Sequence, residues 1–303
     1  MGYVKSRDFD GLFICKGRKR WIIHLTNGEK KIIIRIIVSL KGMVKMRIVV
    51  KVGTSTLAYS TGHMNIRRVE ELCRVLSDLK NAGNEIILVS SGAIGMGVGK
   101  LSLKERPKDI PTKQAAAAVG QCELMYTYDR LFQNYNHTVA QILLTGSDFR
   151  HDDRYHNFQN TIRRLLELEV LPVINENDTI ATEEIKVGDN DTLSAMVAVS
   201  INADRLILLS DIDGLYTKDP HRFSDAALID EVCELTEDIM RLGGDEGSSL
   251  GTGGMKTKLH AASICMEAGC EMVILNGAEP TLLYDLFDGK RVGTLFSKKG
   301  GKA

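Results

Sequence analysis

The sequence predicts an α/β fold in which a mainly parallel sheet is covered by helices on both faces. Short, continuously apolar segments such as 47–52 (RIVVKV), 85–90 (EIILVS) and 205–209 (RLILL) have the length and β-branching of strands buried on both sides. Longer segments between them carry apolar residues at helical spacing. The two kinds alternate from Arg47 onward, the order of a sheet built with crossover helices.

Taken in order, 47–52 is the first buried strand. Ile66, Val69, Leu72, Leu76 and Leu79 share one helical face, and Gly83 supplies the stop. Residues 85–90 form the next strand, which runs into a glycine-rich loop over 92–99 (GAIGMGVG). A helix is predicted over 113–132, where Ala115–Ala118 permits close packing. A strand at 139–144, a helix at 155–168 and a strand at 170–174 follow. Then come a helix at 191–201 and a strand at 205–209 that ends in Ser210-Asp211. The last third holds a glycine run at 243–254, a helix over 256–268, a strand at 271–275 and a short helix over 281–287.

The first 45 residues differ in kind. They carry 11 Lys/Arg against 3 Asp/Glu, whereas the remaining 258 carry 28 against 36. Residues 32–38 (IIIRIIV) read as a strand among basic residues. We expect residues 1–45 to be an appended basic segment outside the fold, and 46–303 to be the functional domain. We expect Met43 or Met46 as an alternative start, since regular patterning begins at Met46.

Composition excludes several classes. Basic and acidic residues both number 39, so no overall excess points to nucleic acid or an anionic membrane. No apolar run approaches the roughly 18 residues of a membrane span. The six cysteines show no C-x-x-C pairing, which favours reduced thiols in a cytoplasmic protein over a disulfide framework or a zinc site. The segment Gly92–Lys100 fails the P-loop template, which needs Gly at 94 and Ser or Thr at 101 where the chain has Ile94 and Leu101. It fails the dinucleotide fingerprint too, because Gly95-x-Gly97 leads to Lys100.

Polar, glycine-rich or acidic residues follow the strands instead. They are Lys51-Val52-Gly53-Thr54-Ser55, Ser90-Ser91-Gly92-Ala93, Asn175-Glu176-Asn177-Asp178 and Ser210-Asp211. A further run, Gly251 to Lys258 (GTGGMKTK), precedes a helix. Glycine lets backbone N–H groups approach a phosphate, and a helix N-terminus adds partial positive charge. Gathered at one edge of one sheet, such loops form a ligand crevice.

With VGDND at 187–191 and GLYTKDP at 214–220, these motifs resemble the ordered set of the amino acid kinase family, over about 47–296. The pair VGDND and GTGGM-x-TK is the specific part. The resemblance implies a three-layer α/β/α sandwich and an ATP-dependent kinase, using Mg²⁺, that acts on the side-chain carboxylate of L-glutamate in the first step of proline biosynthesis. It implies feedback inhibition by proline and a homo-oligomer, either dimer or tetramer. Many members carry a C-terminal PUA domain, and this chain is expected to depart from them as a short form without one.

Its implied roles fall on named residues. Lys51 contacts the phosphates being separated, Lys258 supports the transferring group from the other side, and Asp191 holds both ammonium groups. Ser91, Asp178 and Asn190 bind glutamate, with Asn175 and Asp189 close by. Lys51, Ser210, Asp211, Thr252, Gly253, Gly254, Met255, Lys256, Thr257 and Lys258 form the nucleotide side, with Lys256 itself solvated. No protein ligand to the metal is assigned. Asp178, Asp189, Asn190 and Asp191 equally suit caps and turns. Lys51 in an apolar strand is harder to explain without function, because an unpaired buried Lys is costly. Two other readings share the fold: a sister kinase acting on acetylglutamate, aspartate, carbamate or a nucleoside monophosphate, and a non-catalytic nucleotide sensor.

Overall fold

The structure, a computed structural model, describes residues 11–16, 19–24, 45–59, 63–181, 189–220, 222–244 and 254–298. The chain divides into two compact units, Met1–Lys45 and Met46–Ala303. In the first unit, β1 (Gly11–Lys16) and β2 (Lys19–His24) pair antiparallel, with Lys16 opposite Lys19. The sequence reading assigned no strand there, and the strand it placed at 32–38 lies outside the described residues.

The second unit is built on an eight-stranded sheet. Its strands are β3 (Arg47–Val52), β4 (Glu85–Ser90), β5 (Val139–Leu144), β6 (Leu171–Glu176), β7 (Arg205–Ser210), β8 (Glu231–Val232), β9 (Glu271–Asn276) and β10 (Thr294–Phe296). They lie in the order β5-β6-β4-β3-β7-β9-β10-β8. The first six of that order are mutually parallel, β10 is antiparallel to β9, and β8 is parallel to β10. The short strands β8 and β10 escaped the sequence reading because two or three residues carry no readable period.

Period-two alternation sorts the core into two layers. Ile48, Val50, Val52, Ile86, Leu88, Ile207, Leu209, Val273 and Leu275 face one layer. It is completed by helices α2 (Ile66–Asn81), α4 (Ile110–Gln133) and α9 (Leu282–Phe287). Val49, Ile87, Val89, Leu206, Leu208, Met272 and Ile274 face the other layer, with α5 (Asp152–Glu167), α6 (Asn190–Ser200) and α8 (Met255–Glu267). The short helix α1 (Thr54–Leu57) adds Leu57 to the first of these layers, and α7 (Glu237–Arg241) buries no residue. This is the three-layer sandwich expected from the sequence.

The glycine-rich segment after β4 is a helix, not a loop: α3 (Ala93–Lys100) starts from Gly92, whose φ of 104° suits glycine. Its other glycines serve packing. A Cβ on Gly97 would lie 1.8 Å from the carbonyl oxygen of Ala116, and one on Gly120 would lie 1.8 Å from that of Ala93. Helices α3 and α4 therefore cross in main-chain contact. The helix is a poor one by propensity, and that contact outweighs the cost of its glycines.

Candidate active site

The sheet register fixes where the polar residues fall. Val52 lies opposite Ser90 of β4 and Leu209 of β7, and Ser210 lies opposite Asn276 of β9. All five strands β6, β4, β3, β7 and β9 thus end along one edge. The strand order reverses about β3, which sends the chain to β4 on one side and later to β7 on the other. Ligand crevices form at such switch points.

Lys51 projects from β3 into the same layer as Val49, toward α6 and α8. There its Nζ lies 2.5 Å from Oδ1 of Asp191, the second residue of α6. Nζ of Lys258, on the first turn of α8, lies 3.1 Å from Oδ2 of the same carboxylate. The Thr257 hydroxyl lies 2.9 Å from that oxygen and 2.8 Å from the carbonyl of Gly254. Asp191 is 1% exposed, Lys258 5% and Lys51 9%. One carboxylate therefore bridges two ammonium groups from opposite ends of the sequence, all removed from water.

Burial alone would push the Asp191 carboxyl up. The ammonium groups of Lys51 and Lys258, with hydrogen bonds from Lys51 and Thr257, outweigh it and hold the group at about 2. Because the folded-state value lies below the ordinary 3.8, the contribution to stability is complete above the ordinary value and is lost as pH falls through the folded one. It amounts to about 2 kcal/mol. Urea unfolding at about pH 5 and about pH 2 is expected to show that loss, and Asp191→Asn is expected to remove this part of the pH dependence. An identical acid response in the variant would contradict it.

A second polar cluster lies at the ends of β4 and β6. Nδ2 of Asn190, the first residue of α6, is 2.7 Å from Ser91 Oγ, 3.1 Å from Asn175 Oδ1 and 3.3 Å from the Ser90 carbonyl. Asn175 lies within β6, one strand residue further than the sequence reading placed it, and is almost fully buried. The Ser90 hydroxyl is 2.8 Å from that of buried Tyr128. Asp189 is the N-cap of α6, accepting from the Thr192 backbone N–H at 2.7 Å and its hydroxyl at 2.9 Å. Asp178 sits in the turn after β6, half-buried.

On the other side of β3, Ser210 closes β7 and donates to Asp211 at 3.0 Å. Gly254 caps α8, Met255 opens it and Lys256 is exposed. Thr252 and Gly253 lie outside the described residues. Gly53 adjoins Lys51: a Cβ there would sit 3.6 Å from its Nζ, in ordinary van der Waals contact.

The sequence reading missed some of these partners. Gln121 and Tyr128 looked like ordinary helix residues, although they stand two turns apart on one face of α4. Asp213 was passed over too. It accepts from Asn276 Nδ2 and from the Tyr216 hydroxyl, both at 2.7 Å, and these bonds hold its carboxyl below the usual range. The Ser-Asp-Ile-Asp spacing was the available signal.

A family model described as the amino acid kinase family matches residues 46–276. A glutamate 5-kinase of Listeria innocua serovar 6a is 51% identical over 257 residues, covering 84% of this chain and 93% of the relative. One from Clostridium tetani is 54% identical over 250 residues, covering 82% and 94%. Among solved structures, the carbamate kinase of Giardia lamblia bound to AMP-PNP superposes with a TM-score of 0.61 at 16% identity, over 85% of this chain and all of that one. The UMP kinase of Bacillus anthracis gives 0.57 at 15%, over 84% and 97%. The structural likenesses speak for the fold alone. The family match runs from the first strand of the sheet through β9, and relatives about half identical cover more than four-fifths of the chain: the chain belongs to the amino acid kinase family.

Proposed function

We propose that this chain transfers the γ-phosphoryl group of ATP to the side-chain carboxylate of L-glutamate, giving L-glutamyl 5-phosphate and ADP, the first step of proline biosynthesis. The observation that carries the proposal is the bridge of Asp191 between Lys51 and Lys258 at the carboxyl edge of the sheet. The relatives named glutamate 5-kinase favour glutamate among the acids the fold accepts.

The chemistry asks little of proton transfer. A glutamate carboxylate, with a pKa near ~4.3, is already ionised at neutral pH. Its oxygen attacks the γ-phosphorus as the bond to the β–γ bridging oxygen breaks, and ADP leaves with that electron pair. The obstacle is the approach of one anion to another, with charge building on the transferring group. Lys51 meets the phosphates being separated and Lys258 the group in flight. Asp191 keeps both ammonium groups in place, so no reorganisation is needed as charge develops. Asp178 offers a fixed carboxylate to the substrate's ammonium, while Ser91 and Asn190, with Asn175 and Asp189, line its side of the crevice. Ser210, Asp211 and the residues from Thr252 to Lys258 form the nucleotide side.

The Mg²⁺ implied by a kinase would ride on the nucleotide's phosphates and on water. No cluster of three or more His, Cys, Asp or Glu suited to a metal occurs among the described residues. Both oxygens of Asp191 already face ammonium groups.

Release of ADP, followed with glutamate, acetylglutamate, aspartate, carbamate and UMP in turn, tests the reading. Glutamate is expected to be preferred. Preference for acetylglutamate would assign a sister activity, and no turnover with any acid would favour a nucleotide sensor. Proline is expected to inhibit by competing with glutamate, and a flat response to millimolar proline would reject that. A dimer or tetramer is expected in sedimentation, and a monomer would reject it. Residues 46–303 are proposed to carry the activity alone, and deleting 1–45 is expected to leave kcat unchanged; a lost activity would oppose this.

A further inference from the structure

We propose that Gln121 is a positioning residue for the acid substrate: it fixes the direction of an amide relay that turns the Asn190 side-chain oxygen toward the crevice. The proposal rests on the reading of Asn190 as a substrate-side residue.

Two main-chain groups determine the relay. A carbonyl can only accept, so the Asn190 atom 3.3 Å from the Ser90 carbonyl is its nitrogen. A backbone N–H can only donate, so the Asn175 atom 2.9 Å from the Glu176 nitrogen is its oxygen. Asn175 Oδ1 then also accepts from Asn190 at 3.1 Å, and Asn175 Nδ2 is left facing α4. There it needs an acceptor, because a buried donor without one is costly. Gln121 Oε1 is that acceptor, at 3.0 Å.

The consequence at the far end is directional. The Asn190 amide nitrogen is committed to Ser90, Ser91 and Asn175. Among the described residues its oxygen has no donor, and it is left for one such as the ammonium of an amino acid. Gln121 is 7% exposed and its own Nε2 has no hydrogen-bond partner among the described residues. A glutamine buried with an orphaned donor is held for its oxygen, not for its full bonding capacity.

This separates two substitutions. Gln121→Met keeps the volume and removes the acceptor. Gln121→Glu keeps the acceptor and removes the orphaned donor. Steady-state kinetics on both, beside the unaltered chain, are expected to show the glutamate KM raised about ten-fold in the Met variant. The KM for ATP and kcat should stay within about two-fold, and the Glu variant should stay within about three-fold on all three. An unchanged glutamate KM in the Met variant would overturn the proposal, as would equal losses in ATP KM and kcat. If the Met variant does not fold, the Glu variant decides alone, and a ten-fold rise there overturns the proposal. Failure of the unaltered chain to use glutamate would instead reject the assigned activity.

Discussion

Replacing Lys258 with alanine is expected to lower kcat by about 10²- to 10³-fold, the loss that follows removal of one preorganised donor to developing charge. The KM for glutamate should change much less, because the role proposed for Lys258 is toward the nucleotide and the phosphoryl group. The effect should exceed that of an ordinary surface lysine because this ammonium is 5% exposed and fixed 3.1 Å from Asp191. Lys290, a surface lysine paired with Asp285 after α9, supplies the control. Its alanine variant should retain kcat within about two-fold. Equal turnover in the Lys258 variant and the unaltered chain would remove this residue from the chemistry and favour a nucleotide sensor.

Asp191→Asn is expected to harm both folding and catalysis. The carboxylate is the shared counter-charge of two buried ammonium groups, and its loss leaves both uncompensated. Breaking a buried ion pair from one side costs about 3–5 kcal/mol. Urea unfolding near neutral pH should show a loss of that order. Coupling should appear in a double-mutant cycle: once Asp191 is gone, replacing Lys51 with methionine should cost less than it does alone, because it then removes an unpaired charge. Strict additivity of the two changes would contradict the bridge. Catalysis should fall together with stability, since the lysines would lose the counter-charge that holds them in the position proposed for phosphate contact.

Much of this was legible in the sequence. The buried strands and amphipathic helices betrayed themselves by period, and their ends were read to within a few residues. Lys51 stood out as a charge inside an apolar strand, a placement that requires a partner. Motif spacing supplied Asp191 and Lys258 through the family resemblance; no local pattern could have shown that the three side chains meet. The glycines of α3 misled, because glycine signals a loop by propensity, whereas here it serves a helix crossing visible only in three dimensions. Gln121 was illegible for a related reason. A glutamine two turns from a tyrosine on a long helix is unremarkable until β6 brings an amide against it.

The crossing of α3 and α4 has a consequence for how the crevice could evolve. Where two helices touch through carbonyl oxygens, no side chain lies between them to be trimmed or enlarged. The wall that carries Ser91 and the support beneath Asn175 are thereby joined as one stiff strut. Point substitutions at Gly97 or Gly120 can only pry it apart, so a chain of this kind adapting to a longer or shorter acid would be expected to remodel the opposite wall.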